Sequence, residues 1–114
     1  MENCLFCKII NGKIPATKAF EDEHTLAFND IDPKAPTHIL VIPREHYAGI
    51  HEIPSDKVNI LSHIFTTVSN VVTQERLEQD GYRLVINYGE NGGQEVPHIH
   101  VHILAGRAMQ WPPG

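Results

Sequence analysis

Apolar and polar residues follow strand-like patterns in five stretches of the chain. Thr17–Glu21 and Thr25–Asn29 flank a short polar turn, which predicts a hairpin. Thr37–Pro43 is almost continuously apolar and therefore predicts a central strand of a sheet. Apolar and polar residues alternate in Tyr82–Tyr88 and in residues 97–104, so the sequence predicts two further strands in its second half.

Two other stretches have the spacing of helices. Asn3 is a typical N-cap residue and Gly12 a typical helix end, so the residues between them predict a short helix. A long helix is predicted to begin at Pro54–Ser55 and to end at Asp80–Gly81. Its apolar stripe consists of Val58, Leu61, Ile64, Phe65, Val68, Val71 and Val72. We interpret this helix as scaffold.

The composition is that of one compact domain. A chain of 114 residues with 41% hydrophobic content can bury a core, so residues 1–114 are predicted to form a single domain. The formal net charge of −5 disfavours nonspecific nucleic-acid binding, which depends on phosphate neutralisation. No apolar run reaches the roughly 20 residues of a membrane span, and the first residues do not resemble a secretion signal. We therefore expect a cytoplasmic protein that binds neither nucleic acid nor membrane.

Three of the eight histidines alternate with apolar residues in the last predicted strand. His98, His100 and His102 would share one face, in a cleft or on the surface, while the intervening Ile and Val residues pack into the core. Same-face neighbours on a strand are roughly 7 Å apart and the outer pair about 13 Å, so one metal ion cannot bind all three. Each imidazole can instead be a nucleophile, an acid or base, or a ligand. We favour this chemical interpretation over a solvated polar face or an affinity tag.

Cys4 and Cys7 are three positions apart and share one face of the predicted short helix. The pair suits chelation of one zinc ion or simple packing, and the residues alone do not decide between these two. Redox exchange is less favoured, because no thioredoxin-like context surrounds the pair. Without an export signal, two cysteines also argue against a disulfide framework.

Polar residues from other segments can join the histidines. His38 begins the central strand, where its side chain can reach a cleft, whereas His46 follows that strand and is expected in an exposed loop. Asp30, in a proline-punctuated loop, can accept hydrogen bonds from sugar hydroxyls, although an Asp that stabilises a turn is commoner. A tight return of the chain would set Asn87 beside the histidines. The glycines of residues 89–94 could bind phosphate oxygens with backbone N–H groups.

These segments together resemble the histidine triad superfamily. His98–Leu104 has the form His-φ-His-φ-His-φ-φ, φ being an apolar residue, which is the motif of that superfamily. Further segments are similar to its nucleotide-binding, or Hint, branch: Cys4–Ile10, Ile14–Pro15, Phe28–Ile31, Ala35–His38, Leu40–Pro43, Gly92–Gln94 and Trp111–Gly114. The resemblance covers nearly the whole chain.

The resemblance implies an α+β fold with a five-stranded antiparallel sheet, one long helix and one short helix. It also implies a homodimer with a sheet that continues across both chains, and a tail, residues 108–114, that reaches the partner's active site. The implied activity is hydrolysis of purine nucleoside 5′-phosphoramidates through a nucleotidyl-histidine intermediate, releasing a nucleoside monophosphate and an amine. The chemistry itself would need no cofactor at the reacting phosphate.

Site roles follow from the same resemblance, position by position. It makes His100 the nucleophile and places His102, His38 and Asn87 around the phosphate. It places Asp30 at the ribose hydroxyls. The residues that would enclose the base are Leu5, Phe6, Ile9, Phe28 and Ile31, and those implied in further substrate contacts are Gly93, Gln94, Glu95 and Trp111.

A structural zinc ion is also implied. Metal-bearing relatives in the superfamily pair an N-terminal Cys-x-x-Cys with a histidine after the central strand and with the first histidine of the triad. Here these residues are Cys4, Cys7, His46 and His98. They would complete a closed tetrahedral site and remove His98 from direct catalysis.

Two positions depart from the family pattern. Glu95 stands where members often have Ser near the leaving group, although others carry Glu, and Pro97 stands where Tyr or Phe is common. Rival interpretations are a dinucleoside polyphosphate hydrolase or nucleotidyl transferase of the same superfamily, and a nucleotide-binding scaffold whose hydrolysis is incidental. The first rival group tends to carry Gln at the third histidine, where this chain has His102.

Overall fold

A computed structural model describes residues 3–114 of the protein. Its helices are α1 (Leu5–Ile10) and α2 (Asn59–Gln74), and two 3₁₀ turns at Ile50–Glu52 and Ser55–Lys57 precede α2. Its strands are β1 (Lys18–Glu21), β2 (Thr25–Asn29), β3 (Thr37–Pro43), β4 (Tyr82–Val85) and β5 (Val101–Ala105). No helix within this described range has both the length and the apolar character needed to cross a membrane.

The strands form one antiparallel sheet in the order β1-β2-β3-β5-β4. The apolar strand β3 is central, as its sequence predicts, and β4 forms one edge. The expected α+β fold, with a five-stranded antiparallel sheet, one long helix and one short helix, is confirmed. Continuation of the sheet into a second chain stays a prediction.

The two faces of the sheet carry separate cores because side chains alternate along β2 and β3. The long helix α2 covers one face, where Ile64 and Val71 pack against residues such as Val41 and Ile103. The short helix α1 lies against the other face, in a second core. That core contains Cys4, Phe6, Cys7, Ile9, Leu26, Phe28, Leu40 and Ile42. The second face carries the residues of chemical interest.

Three predicted helix boundaries are wrong. The short helix is capped by Cys4 and not by Asn3, since the Cys4 sulfur accepts the Cys7 N–H. The long helix is shorter than predicted at both ends. It stops at Gln74 because Arg76, with φ of 57°, adopts the left-handed conformation that interrupts helical hydrogen bonding. Two residues of the predicted apolar stripe, Val58 and Phe65, are exposed.

The predicted histidine strand, residues 97–104, is also shorter in the structure. Ladder pairing begins only at Val101, so β4 ends at Val85 and does not continue to Tyr88. Before that point the amide of Ile99 donates to the carbonyl oxygen of Tyr47, outside the sheet, at 2.6 Å. This departure from the ladder separates His98 from the other two triad histidines.

Candidate active site and metal-ligand cluster

A cleft of about 520 Å³ opens between α1 and the strand face that carries the histidines. One wall is apolar and comes from α1, the segment after it, and β2. The other is polar and comes from the loops that follow β2 and β4. The lining residues include Leu5, Phe6, Ile9, Phe28, Asp30, Ile31, Lys34, His38, Asn87, Gly93, Glu95, His100 and His102. Most of the predicted substrate-binding residues therefore meet in one place.

Strand register places His38 and His102 side by side. Leu40 of β3 pairs with His102 of β5, and His38 pairs with Leu104, so the two histidines occupy a diagonal of the ladder on the same face. Their side chains contact each other, with Nε2 of His38 2.9 Å from Nδ1 of His102. The ring of His100 lies beside that of His102, with centroids 4.8 Å apart. Three imidazoles therefore line the floor of the cleft.

The His100 side chain has a defined proton position. Its Nδ1 lies 2.7 Å from the carbonyl oxygen of His98, and because a carbonyl can only accept, Nδ1 carries the proton. The neutral ring then keeps a lone pair on Nε2. Burial lowers the pKa of His100, and the negative charges of Asp30 and Glu95 oppose this shift. Phe6 packs edge-on against the ring at 5.0 Å, which fixes its orientation.

His38 and His102 form a directed hydrogen-bond chain. The backbone N–H of Lys34 donates to Nδ1 of His38 at 3.0 Å, so neutral His38 carries its proton on Nε2. That Nε2–H donates to Nδ1 of His102, which leaves His102 with its own proton on Nε2. Burial lowers the pKa of both residues, that of His102 to about 4. His102 is thus a neutral hydrogen-bond donor at neutral pH.

The third triad histidine, His98, lies in a different cluster. It is fully buried, with 0% of its surface exposed, beside Cys4, Cys7 and His46. The surface or cleft position predicted for His98 as part of the row is therefore wrong, as is the exposed loop position of His46, which is half-buried. The ligand atoms of these four residues all lie within 4.8 Å of one another.

The cluster has the dimensions of a tetrahedral zinc site. Zinc–nitrogen bonds of about 2.0–2.1 Å and zinc–sulfur bonds of about 2.3 Å require N···N and N···S edges of about 3.3 and 3.6 Å. Nδ1 of His98 lies 3.2 Å from Nδ1 of His46, and 3.4 and 3.6 Å from the sulfurs of Cys4 and Cys7. Nδ1 of His46 lies 3.5 Å from the Cys7 sulfur. Four of the six ligand–ligand distances in the cluster therefore match those of a tetrahedral zinc site.

Hydrogen bonds around His98 also suit a metal ligand. Its Nε2 lies 2.9 Å from the carbonyl oxygen of Pro43, so Nε2 is protonated and the lone pair on Nδ1 faces the cluster. Burial lowers the pKa of His98 to about 4, which keeps this lone pair available. Burial raises the pKa of the Cys7 thiol, so a thiolate at this position requires a compensating cation.

A second trio, Asp30, His38 and His102, also has ligand atoms within 4.8 Å of one another. The proton positions argue against a metal there. Binding through Nε2 of His38 would require a proton on its Nδ1, which would oppose the N–H of Lys34. We therefore interpret this trio as a hydrogen-bonded part of the cleft and the cysteine cluster as the candidate metal-ligand site.

Two predicted substrate residues lie away from the cleft lining in this chain. The Gln94 amide binds within the loops, donating to the carbonyl oxygen of Ala48 at 2.7 Å and accepting from the N–H of Gly89 at 3.2 Å. Trp111 is 82% exposed on the C-terminal tail. Lys34, whose backbone N–H orients His38, was not among the predicted site residues. A backbone donor leaves no signature in side-chain pattern, so this role was not predictable.

Residues 11–109 match the HIT domain. The chain belongs to the HIT family. It is 50% identical to a 14 kDa zinc-binding protein of Zea mays, over 96% of this chain and 87% of that protein. It is 46% identical to the adenylylsulfatase HINT1 of Arabidopsis thaliana, over 96% of this chain and 76% of that protein.

A solved structure has nearly the same fold. The HIT family hydrolase of Legionella pneumophila superposes with a TM-score of 0.93, at 53% identity, over 98% of this chain and 100% of that chain. The histidine triad resemblance drawn from the sequence is therefore confirmed. The relatives support a hydrolase activity in general and are consistent with a zinc-binding cluster.

Proposed function

We propose that this HIT protein is a purine nucleoside 5′-phosphoramidate hydrolase that acts through a nucleotidyl group on His100. The observation that carries the proposal is the hydrogen bond from Nδ1 of His100 to the carbonyl oxygen of His98. It leaves the lone pair of Nε2 on the ring that lines the cleft. A neutral imidazole held in this way is a competent nucleophile at phosphorus.

The cleft offers complementary surfaces to the parts of a nucleotide. Leu5, Phe6 and Ile9 form an apolar wall suited to a planar base. Asp30 lies on the opposite rim, where its carboxylate can accept hydrogen bonds from ribose hydroxyls. The imidazoles between these two regions would then face the α-phosphate. These three regions match the base, the ribose and the phosphate of one mononucleotide.

The reaction would occur in two displacements. Nε2 of His100 attacks the α-phosphorus, the P–N bond of the substrate breaks, and the amine leaves with that electron pair and one proton from solvent. Water then attacks the same phosphorus, the P–N bond to His100 breaks, and one proton returns to solvent. The Nε2–H of His102 would donate to the phosphoryl oxygens while charge develops on them. With a pKa of about 4, His102 acts in this scheme as a neutral donor.

Turnover of an adenosine 5′-phosphoramidate is the direct test. Release of adenosine monophosphate and free amine in equal amounts is the expected result. Acid quench and alkaline quench should trap a nucleotidyl group that is stable in alkali and labile in acid, as expected for a phosphorus–nitrogen bond. Tight binding without turnover would instead favour a nucleotide-binding scaffold and would refute the proposal.

Adenylyl sulfate is a second candidate substrate, because the Arabidopsis thaliana relative is named an adenylylsulfatase. The same attack by His100 would then release sulfate in place of an amine. Parallel rates with the sulfate and the phosphoramidate of adenosine separate the two activities. A dinucleoside polyphosphate serves as a third substrate in this panel, to test the remaining branch of the superfamily.

We also propose a structural zinc ion held by Cys4, Cys7, His46 and His98. When bound, the ion would supply the positive charge that two buried thiolates need. The residues themselves link α1 to the loop after β3 and to the segment before β5. Elemental analysis of protein produced with sufficient zinc should give one equivalent per chain, and clearly less than one would count against the site.

The homodimer is our third proposal. Strand β4 is an edge strand with exposed apolar residues, which is unfavourable for a monomer. Tyr82 and Leu84 are 45% and 37% exposed, and Ile86 and Tyr88 continue the exposed apolar series. Arg83 binds the carbonyl oxygen of Gln110 at 2.8 Å, so the tail that carries Trp111 starts beside this edge. A second chain paired along β4 would continue the sheet and meet that tail.

A further inference from the structure

The charges that line the cleft are unbalanced. The carboxylates of Asp30, Asp32 and Glu95 face a single ammonium group, that of Lys34, among the cleft residues that the structure describes. Lys34 is already paired, since its Nζ lies 2.5 Å from the Asp32 carboxylate. The cleft therefore carries an excess of about two negative charges, counted from the ordinary charge states of these groups at neutral pH.

Asp30 and Glu95 differ in their surroundings. One oxygen of Asp30 accepts the N–H of Asp32 at 2.8 Å, and the other lies 3.5 Å from Nε2 of His38. Glu95 has neither a side-chain hydrogen bond nor an ion pair within residues 3–114. It is exposed and lines the same cleft as His100. Its carboxylate is thus free to interact with a bound molecule.

The position of Glu95 relates it to one part of the substrate. It belongs to the β4–β5 loop, which also contributes Asn87 and Gly93 to the polar wall. The base would occupy the apolar wall and the ribose would contact Asp30 in the loop after β2, so the leaving group would extend toward the β4–β5 loop. Resting on the proposed phosphoramidate activity, we propose that Glu95 selects leaving amines that carry a second positive charge, such as a diamine or a basic amino acid.

The charge balance gives this selection a direction. A leaving amine with a free ammonium group would offset the negative charge of the cleft, whereas sulfate or a polyphosphate chain would add to it. Because Glu95 is exposed, water and salt weaken the attraction. At about 6 Å in water it amounts to a preference of about threefold, rising to about tenfold where the dielectric constant is lower. Glu95 is therefore a specificity residue and not an essential one.

Three adenosine 5′-phosphoramidates with leaving groups of similar length test the proposal. Their amines are 1,4-diaminobutane, which carries a free ammonium group, butylamine, which is neutral, and 4-aminobutyrate, which carries a carboxylate. The quantity measured is the ratio of kcat/KM for the diamine substrate to that for the butylamine substrate, at low and at high salt. A ratio within one protein is independent of its active fraction. Glu95→Gln removes the charge with little change in shape, and Glu90→Gln makes the same change outside the cleft lining.

The expected order for the unchanged protein is diamine, then butylamine, then aminobutyrate. Glu95→Gln should reduce the diamine ratio about three- to tenfold, and high salt should reduce the ratio in the two proteins that retain Glu95. Glu90→Gln should leave it unaltered. If all three proteins turn over the butylamine substrate and have the same diamine-to-butylamine ratio of kcat/KM, selection by Glu95 is refuted. The proposed phosphoramidate hydrolase activity would still stand. Absence of turnover with all three substrates would overturn both.

Discussion

His98 accepts the Nδ1–H of His100 through its carbonyl oxygen, at 2.7 Å, while its own side chain lies among the metal-ligand residues. His98 therefore connects the candidate metal-ligand cluster to the proposed nucleophile, His100. The Nε2–H of His98, bound to the carbonyl oxygen of Pro43, fixes the ring from the far side. Any shift of His98 would move the hydrogen bond that sets the proton position of His100.

The first prediction follows from this connection. Cys7→Ser should lower the zinc content and the melting temperature, because binding at a thousandfold excess over Kd stabilises a folded protein by about 4 kcal/mol. It should also lower kcat and change KM little. His100 would lose its orientation, but the cleft walls proposed to bind the nucleotide would remain. Elemental analysis, thermal unfolding and steady-state kinetics check these three effects. Full activity in a variant that has lost its zinc would contradict the connection.

The second prediction concerns the nucleophile itself. His100→Asn should reduce kcat/KM by at least about 10⁴-fold, since both displacements depend on the imidazole. Nucleotide binding should persist because the apolar wall and Asp30 lie on other segments. Calorimetric titration with adenosine monophosphate measures the binding. His63→Asn provides the control, because His63 lies on α2 outside the cleft. Near-normal turnover by His100→Asn would exclude the assigned role.

Much of this arrangement was predictable from side-chain pattern. The apolar half of the histidine segment packs as predicted, with Ile99 and Ile103 almost completely buried. The alternation did not reveal that pairing starts only at Val101. Pro97 lacks an N–H, and the amide of His98 turns back to the carbonyl oxygen of Val96 at 2.8 Å. Such local backbone choices depend on the tertiary fold.

The proton positions of the histidines were not predictable at all. They are set by main-chain groups, namely the amide of Lys34 and the carbonyl oxygens of Pro43 and His98. These groups are present at nearly every residue, so only the fold determines which of them meets an imidazole. The sequence could therefore identify the reactive residues, and only the structure could assign donors and acceptors among them.

The third prediction is a pH profile. Attack requires neutral His100, so kcat/KM should fall about tenfold per pH unit below its pKa. The ordinary histidine pKa of about 6.5 would place this fall near pH 6.5, but burial lowers the pKa of His100, so full activity should extend below that value. The carboxylates of Asp30 and Glu95 favour the protonated ring. Removing a negative charge by Glu95→Gln should therefore move the acid limb to lower pH. A limb that moves to higher pH would contradict the assignment of His100 as the titrating group.

The last prediction tests assembly along β4. Light scattering should give about twice 12.8 kDa for the unchanged protein at micromolar concentration. Leu84→Lys places a charge on the exposed edge and should produce monomers, because a lysine on an edge strand opposes pairing with another strand. Phe65→Lys is the matched control, since Phe65 on α2 is 42% exposed, close to the 37% of Leu84, but lies off the edge. A dimer that survives Leu84→Lys and dissociates with Phe65→Lys would place the interface on α2. A monomer in the unchanged protein would remove the basis for a site completed by the partner's tail.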